Sequence, residues 1–258
     1  MMQRSILITG CSSGIGYDCA IFLRENGWFE APQIDYADPE SIARGAAEVL
    51  KATGGTIDAL FNNGAHAMLG ALEDIPAAAL RENLEVNVVG YHDLTRQVIP
   101  AMRAQGHGRI LNCSSVLGIG AAKWRGPYNA TKFALEGLTD TLRLEMRETP
   151  IHIILIQPGP IETKIRANAA PHFEKWVDWK SSARRAQYEE SLLDQLYGRN
   201  QRRRGPQYPP RAASKKVLKA LTDKRPATRF YVIPPTYATA ALRRLLPRRA
   251  FDAVLDRF

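Results

Sequence analysis

The stretch TGCSSGIG at residues 9–16 follows an apolar run directly and opens a segment of helical period. Glycine at Gly10, Gly14 and Gly16 lets a chain turn tightly and bring its backbone against a pyrophosphate. The helix that starts there offers amide donors and a favourable dipole to the anion. A purely structural turn carries glycines too, but a glycine-rich turn between a strand and a helix points to a dinucleotide-binding βα unit. That fingerprint is completed by an acidic residue about 20 positions further on, which takes a ribose hydroxyl. Asp35 lies 19 positions beyond Gly16. On spacing alone it favours NAD, because a carboxylate repels a ribose 2′-phosphate.

The rest of the chain extends this pattern. Short β-rich runs at residues 5–9, 33–36, 57–61, 109–113, 152–156 and 230–233 alternate with helical stretches at 15–26, 39–52, 76–105 and 127–147. Strands this rich in Ile, Leu and Val are covered on both faces. The expected architecture is therefore α/β, a Rossmann-type doubly wound parallel sheet flanked by helices, in one domain spanning 1–258. Residues 164–210 break the alternation. They set Phe173, Trp176, Trp179, Tyr188, Tyr197 and Tyr208 among charges, which reads either as a helical pair packed on the core or as a substrate lid.

Charge separates the tail from the body. The net charge is +9, yet residues 199–258 hold 16 Lys/Arg against three Asp, which leaves the first 198 residues at −4. A uniformly basic nucleic-acid-binding module is disfavoured, and no base-reading motif accompanies the arginines. The basic segment 211–258 reads as a solvated helical edge, an oligomer contact, or a weak docking face for an anionic membrane around Arg243 and Arg244. Cys11, Cys19 and Cys113 form neither a CxxC nor a zinc-finger spacing, so no metal is expected, and reduced thiols suit a cytoplasmic protein. No signal-peptide pattern opens the chain, and no apolar run approaches the roughly 18 residues of a membrane span.

The chemistry concentrates in YNATK, where Tyr128 and Lys132 stand four residues apart at a helix start marked by Gly126 and Pro127. Four helical residues turn the chain by about 400°, so both side chains leave one face. A nearby ammonium and a helix N-terminus both favour a phenolate. Lowering a tyrosine by three pKa units takes about 4 kcal/mol of differential stabilisation. Ser114 and Ser115 end the run RILNC, NNGA at residues 62–65 ends IDALF, and PGPIET at 158–163 ends HIILIQ. Strand C-terminal ends are where open α/β sheets bind ligands. Three strand ends here carry polar or turn residues, and they are expected to converge on one crevice.

In this order and spacing, TGCSSGIG, NNGA, Asn87 in LEVNVVG, the serine pair, YNATK and PGPIET resemble the short-chain dehydrogenase/reductase family, closest in motif to its hydroxysteroid and retinol dehydrogenase branch. The resemblance runs from about residue 5 to 163. It implies Tyr128 as general acid/base, Lys132 as the residue that binds the nicotinamide ribose and lowers the tyrosine pKa, Ser115 as the group that polarises the substrate, and Asn87 as the holder of a water in a proton relay. It places Ser12, Ser13 and Ile15, with Gly10, Gly14 and Gly16, on the phosphate side of NAD or NADP, and Asn62 on the adenosine side. Ile161 and Thr163, following Pro158 and Gly159, would meet the nicotinamide amide. The implied activity is NAD(P)-dependent interconversion of an alcohol with a ketone or aldehyde, on a bulky apolar substrate, by a homodimer or homotetramer.

The chain departs from the family in one place. Members carry a second strand and a helix between the glycine-rich helix and the strand ending near Asp35. Here Gly27 runs almost at once into WFEAPQIDYADPE, with roughly 20 residues fewer than the family pattern, so that strand and helix are expected to be shortened or missing. Two readings of Asp35 follow. By alignment it contacts the adenine amino group; by spacing it reaches the ribose if its strand slides into the vacated slot. An empty slot would expose two rows of backbone donors and acceptors, so either the sheet closes up or the sequence omits residues of the whole protein here. A non-catalytic scaffold with impaired cofactor binding stands as the alternative function.

Overall fold

The computed structural model describes residues 4–29, 34–198 and 207–256. Six strands form one parallel sheet in the order β2-β1-β3-β4-β5-β6. They are β1 Arg4–Ile8, β2 Trp28–Phe29, β3 Ala59–Asn62, β4 Gly108–Cys113, β5 Ile151–Gln157 and β6 Arg229–Tyr231. The strand order reverses at β1, with β2 on one side and β3 on the other. A crevice therefore opens at the C-terminal ends of β1 and β3, as doubly wound sheets require.

Strand alternation sends side chains to two cores. Ile6, Ile8, Phe61, Leu111, Ile154 and Ile156 face α1 (Gly14–Glu25) and α9 (Arg211–Thr222). Leu7, Leu60, Ile110 and Ile153 face α2 (Pro39–Ala52), α4 (Gly90–Gln105) and α5 (Gly126–Glu145). Each fully buried Leu or Ile contributes roughly 1.5–3 kcal/mol. The helices end where the sequence marks them. Asp38 caps α2 by accepting from the amide of Glu40 at 2.9 Å, Pro39 opens the helix, and Gly54 and Gly55 follow it at positive φ. The stretch 76–105 is helical, but in pieces: α3 (Ala77–Leu84), a π-helical turn over Glu85–Val89, and α4. The π turn contains Asn87, in keeping with the tendency of π-bulges to mark functional positions.

The strand expected at residues 33–36 is not one. Ile34, Asp35 and Tyr36 lie outside any strand, and residue 33 falls outside the described residues. The slot beside β1 is held instead by β2, two residues long, with Arg4 opposite Trp28 and Ser5 opposite Phe29. Packing explains the change. Ile34 drives into α2 at Gly45, where an added Cβ would lie 2.4 Å from Ile34 Cγ1, and Tyr36 turns inward toward β1 and β3. Both side chains are buried as they would be in a strand, but their backbone leads into the Asp38 cap. The second strand is thus shortened, and among the described residues no helix separates it from α2.

Residues 164–198 form α6 (Ile165–Trp176), α7 (Arg185–Gln187), a π turn over Tyr188–Leu192 and α8 (Leu193–Tyr197). They share a third apolar cluster with Met68, Leu69 and Tyr128, so this segment is both a packed helical unit and a cover over the YNATK helix. It is tied down at Asp74, whose Oδ2 accepts from the hydroxyls of Tyr188 and Ser182, both at 2.7 Å. The C-terminal α10 (Pro234–Leu245) and α11 (Arg248–Leu255) dock through buried Phe251, with the Arg243 guanidinium over its ring at 5.7 Å. Among the described residues no helix is long and apolar enough to cross a membrane.

Candidate active site

The glycine-rich turn is built by contact. Gly10 and Gly14 sit at φ +70° and +61°, where side chains are strained. A Cβ on Gly10 would come within 2.5 Å of Gly64 Cα, one on Gly14 within 2.9 Å of Thr163 Cγ2, and one on Gly16 within 2.3 Å of the Gly10 carbonyl oxygen. The turn is thereby pressed against the loops after β3 and β5. Ser13 is the N-cap of α1, yet no side chain caps the helix. Its first-turn amides remain available to an anion, and Ser12, Ser13 and Ile15 stand at this mouth, none of them buried.

Beneath the turn runs a buried polar row across three strand ends. Thr9 Oγ1 and Tyr36 Oη lie 2.8 Å apart, and the Tyr36 hydroxyl donates to Asn62 Oδ1 at 2.5 Å. Asn62 Nδ2 donates to Asn112 Oδ1 at 2.8 Å and to Thr95 Oγ1 at 3.0 Å, and Asn112 Nδ2 donates to Thr139 Oγ1 at 2.9 Å. Asn62 is fully buried, and its amide is committed to this row. Asn63 faces the turn, with Nδ2 donating to the carbonyl of Thr9 at 3.0 Å. The second asparagine of NNGA, which the sequence reading did not single out, therefore braces the glycine loop while the first locks the sheet beneath it. Tyr36 and Thr9 were also missed: Tyr36 carries no motif signal of its own, and Thr9 opens the TGCSSGIG run but was given no role there.

Ser115, Tyr128 and Lys132 come together past the end of β4. The Ser115 hydroxyl lies close enough to the Tyr128 phenol to favour its ionised form, and its oxygen accepts from the Leu117 amide at 3.1 Å. Lys132 is 1% exposed and donates from Nζ to the Cys113 carbonyl at 2.7 Å, with its ammonium 5.4 Å from the Tyr128 ring centroid. Burial lowers the Lys132 pKa. The expected lowering of Tyr128 is not what this site imposes: burial raises the phenol well above its ordinary value, and the neighbouring Ser115 hydroxyl and the Arg125 charge offset only part of that. The ammonium lies over the ring face with one N–H committed to Cys113.

Asn87 holds the neighbouring loop. Its Oδ1 accepts from the His66 amide at 3.1 Å, and its Nδ2 donates to the His66 carbonyl at 2.9 Å and to Thr131 Oγ1 at 3.2 Å, which links the π turn to α5. Trp124, just before α5, takes φ +66°, a strained conformation for a bulky residue. Its carbonyl accepts from the Gly70 amide at 2.9 Å and its ring lies 5.1 Å from Tyr188. Trp124, Phe173, Tyr188, Trp176 and Trp179 join the apolar cluster that contains Tyr128.

The β5 loop closes the crevice. The Pro158 carbonyl accepts from the Val116 amide at 2.6 Å, Gly159 sits under Thr236 and Ile233, and Ile161 is buried beside Tyr208. Thr163 lies against Gly14. Asp35 stands apart from Tyr128 and Lys132. It is exposed, its Oδ1 accepts from the Ala37 amide at 2.9 Å, and its own amide donates to Ser41. The slot beside β1 belongs to Trp28 and Phe29, so Asp35 does not enter it by a sliding strand.

Outside this crevice, His66 and His172 stack at 4.0 Å between ring centroids. His172 Nδ1 lies 2.7 Å and His66 Nε2 3.9 Å from the same oxygen, Glu82 Oε1. Burial and the neighbouring His172 lower the His66 pKa to about 4. Burial pushes the Glu82 carboxyl up, but hydrogen bonds from Lys175 and His172 outweigh it and hold the group below the usual carboxylate range.

A family model described as short chain dehydrogenase matches residues 23–173. The uncharacterized oxidoreductase YbbO of Escherichia coli K12 is 35% identical over 276 aligned positions, covering 99% of this chain and 95% of that protein. That alignment is longer than the 258-residue chain, so part of YbbO has no counterpart here. Retinol dehydrogenase 8 of Homo sapiens is 31% identical over 190 positions, covering 62% of this chain and 60% of that protein. Among solved structures, a short chain dehydrogenase from Burkholderia cenocepacia J2315 in complex with NADP superposes with a TM-score of 0.75 at 23% identity, covering 98% of this chain and 97% of that one.

Proposed function

Since the chain belongs to the short-chain dehydrogenase family, we propose that it is an NAD(P)-dependent oxidoreductase interconverting an alcohol with its ketone or aldehyde, with Tyr128 as the general acid/base. The observation that carries this reading is the convergence of a buried Tyr128, its Ser115 partner and the Lys132 ammonium past the end of β4. A bound nicotinamide supplies or accepts the hydride.

The residues suit the cofactor's phosphates. The uncapped α1 N-terminus offers its first-turn amides to a pyrophosphate, with Ser12, Ser13 and Ile15 around it, while Gly10 and Gly14 let the turn pack against Gly64 and Thr163. Lys132 has two N–H donors beyond the one given to Cys113, and these suit ribose hydroxyls. Ile161 and Thr163 would hold the nicotinamide end and exposed Asp35 would meet the adenine, while Asn62 would act from below through Tyr36 and Thr9. NAD and NADP both remain compatible with these contacts.

Ser115 takes the substrate oxygen in a hydrogen bond, and Tyr128 gives it a proton as the carbonyl carbon is reduced. A phenol kept protonated by burial is already the acid that reduction requires. In oxidation the same phenol must lose its proton first, and Lys132 with a water ordered near Asn87 relays it outward. Trp124, Phe173 and Tyr188, clustered with Tyr128, support a bulky apolar substrate, as does the likeness to a retinol dehydrogenase. A cytoplasmic homodimer or homotetramer is the proposed setting. Exposed Leu245 beside Arg244 supports a subsidiary contact of α10 with an anionic membrane surface.

The short β2 favours a second reading, a scaffold of the same fold without cofactor affinity. Titration with NADH and NADPH, followed by energy transfer from tryptophan, separates the two. Saturable transfer with either supports the oxidoreductase; no signal with both, in protein shown to be folded, supports the scaffold.

A further inference from the structure

His66, Glu82 and His172 are absorbed neither by the hydride chemistry nor by the core. They reach one point from three places: the loop after β3, helix α3 and helix α6 of the cover. Their ligand atoms all lie within 4.8 Å of one another. The carboxylate is divided between two environments. Oε1 faces both imidazoles, while Oε2 accepts from Lys175 Nζ at 2.6 Å and Trp176 Nε1 at 3.2 Å. One oxygen is thus turned toward two ring nitrogens, and the other is held from outside, as the second oxygen of a monodentate metal ligand commonly is.

We propose that His66 Nε2, Glu82 Oε1 and His172 Nδ1 form a site for a divalent transition metal of the zinc class, with the fourth position left to solvent. Two imidazoles and a carboxylate are a donor set that zinc accepts in tetrahedral sites with one open position. Ligands about 2.0–2.1 Å from the ion in a tetrahedron stand about 3.3 Å from each other. The 2.7 Å contact would open and the 3.9 Å contact would close, each by well under 1 Å. The two rings, stacked within 13° of parallel, would have to turn so that both nitrogens aim at one ion. Binding displaces the proton that His172 Nδ1 shares with Glu82. The ion would clamp α6, and with it the cover over Tyr128, to the loop whose backbone Asn87 holds. No local spacing announces such a site, because its ligands stand 16 and 90 positions apart in the sequence.

The test uses the full chain without an affinity tag, stripped with a chelator. Zinc is titrated by calorimetry, and cobalt(II) is used as the visible probe of coordination geometry. The expected result is one equivalent of zinc, intense tetrahedral cobalt absorption, and a melting temperature that rises with metal. Glu82→Gln and His172→Ala, each confirmed folded by circular dichroism, are expected to weaken binding by at least about tenfold. Lys175→Met leaves the three ligands in place and is expected to keep the stoichiometry. The proposal is overturned by the absence of saturable binding, by wild-type affinity in the folded His172→Ala protein, or by the weak spectrum of six-coordinate cobalt. Binding that depends instead on His107, which faces Asp58 elsewhere on the surface, would overturn it too.

Discussion

Replacing Tyr128 with Phe separates catalysis from stability. The substitution keeps the ring that joins the apolar cluster with Phe173 and Tyr188, and removes only the hydroxyl. The Ser115 oxygen still accepts from the Leu117 amide at 3.1 Å, so at most one hydrogen bond goes with the phenol. One net hydrogen bond is worth about 0.5–1.5 kcal/mol. For a chain of this size that lowers the melting temperature by about 1–6 °C. The loss of a positioned general acid costs about 10²–10⁴-fold in rate, or roughly 3–5.5 kcal/mol in the barrier. Ser115 remains to polarise the carbonyl, so the rate does not fall to zero. The assay follows NADPH or NADH oxidation against a panel of aromatic, steroidal and retinoid carbonyls. Thermal melting and cofactor titration are run on the same samples. Unchanged cofactor affinity with a melting shift of a few degrees and a rate loss of at least a hundredfold is expected. A folded variant that keeps more than about a tenth of wild-type kcat/KM would refute the role given to Tyr128.

Four further outcomes follow. Gly14→Ala combines a left-handed backbone with a Cβ 2.9 Å from Thr163 Cγ2, so cofactor affinity measured by tryptophan energy transfer should fall at least about tenfold. Tyr36→Phe leaves Asn62 Oδ1 without its donor in a dry interior, at a cost of about 1–3 kcal/mol and about 2–12 °C in melting temperature. Asp35→Ala, at an exposed turn, should move melting far less. His66 binds its proton less readily folded, at about 4, than unfolded near 6.5, so the unfolded chain carries more protons between those values. Stability should therefore fall by about 3 kcal/mol as pH drops through that window, and chemical denaturation of His66→Gln should show a flatter profile; an unchanged acid limb would exclude His66 as its source.

How much of this was legible beforehand differs by region. The sheet from β3 to β5 and the cap of α2 were readable because local chemistry decided them: continuous Ile/Leu/Val runs, Asp38 before Pro39, and Gly54 with Gly55. The grouping of Ser115, Tyr128 and Lys132 followed from helix spacing and the rule about strand ends. The segment from Trp28 to Tyr36 was misread because apolar alternation at Ile34 and Tyr36 satisfies burial in either a strand or a loop. Only the seats at Gly45 and Asn62 select the loop. Asn62 was expected at the adenosine side, yet its amide is spent on Asn112 and Thr95, partners 50 and 33 positions away. The direction of the Tyr128 shift was missed because spacing places Lys132 on the same face but does not show how deeply the phenol is buried, and burial is the largest cause of its rise.

The polar row under the glycine turn also bears on how the chain finds its sheet. Asn62 and Asn112 are direct partners in the β3–β4 register, and the bonds that complete the row join residues 26 to 54 positions apart. A slip of one residue between these strands would turn an asparagine to the opposite face, among Ile8, Phe61 and Leu111. Each amide stranded there costs about 1–3 kcal/mol, whereas slipped leucines and isoleucines find other apolar neighbours at little loss. Aliphatic side chains drive the collapse of these strands but tolerate many alignments. The asparagines penalise all but one, so the floor of the crevice acts as a proofreading device during assembly, rejecting misaligned sheets before any ligand is bound.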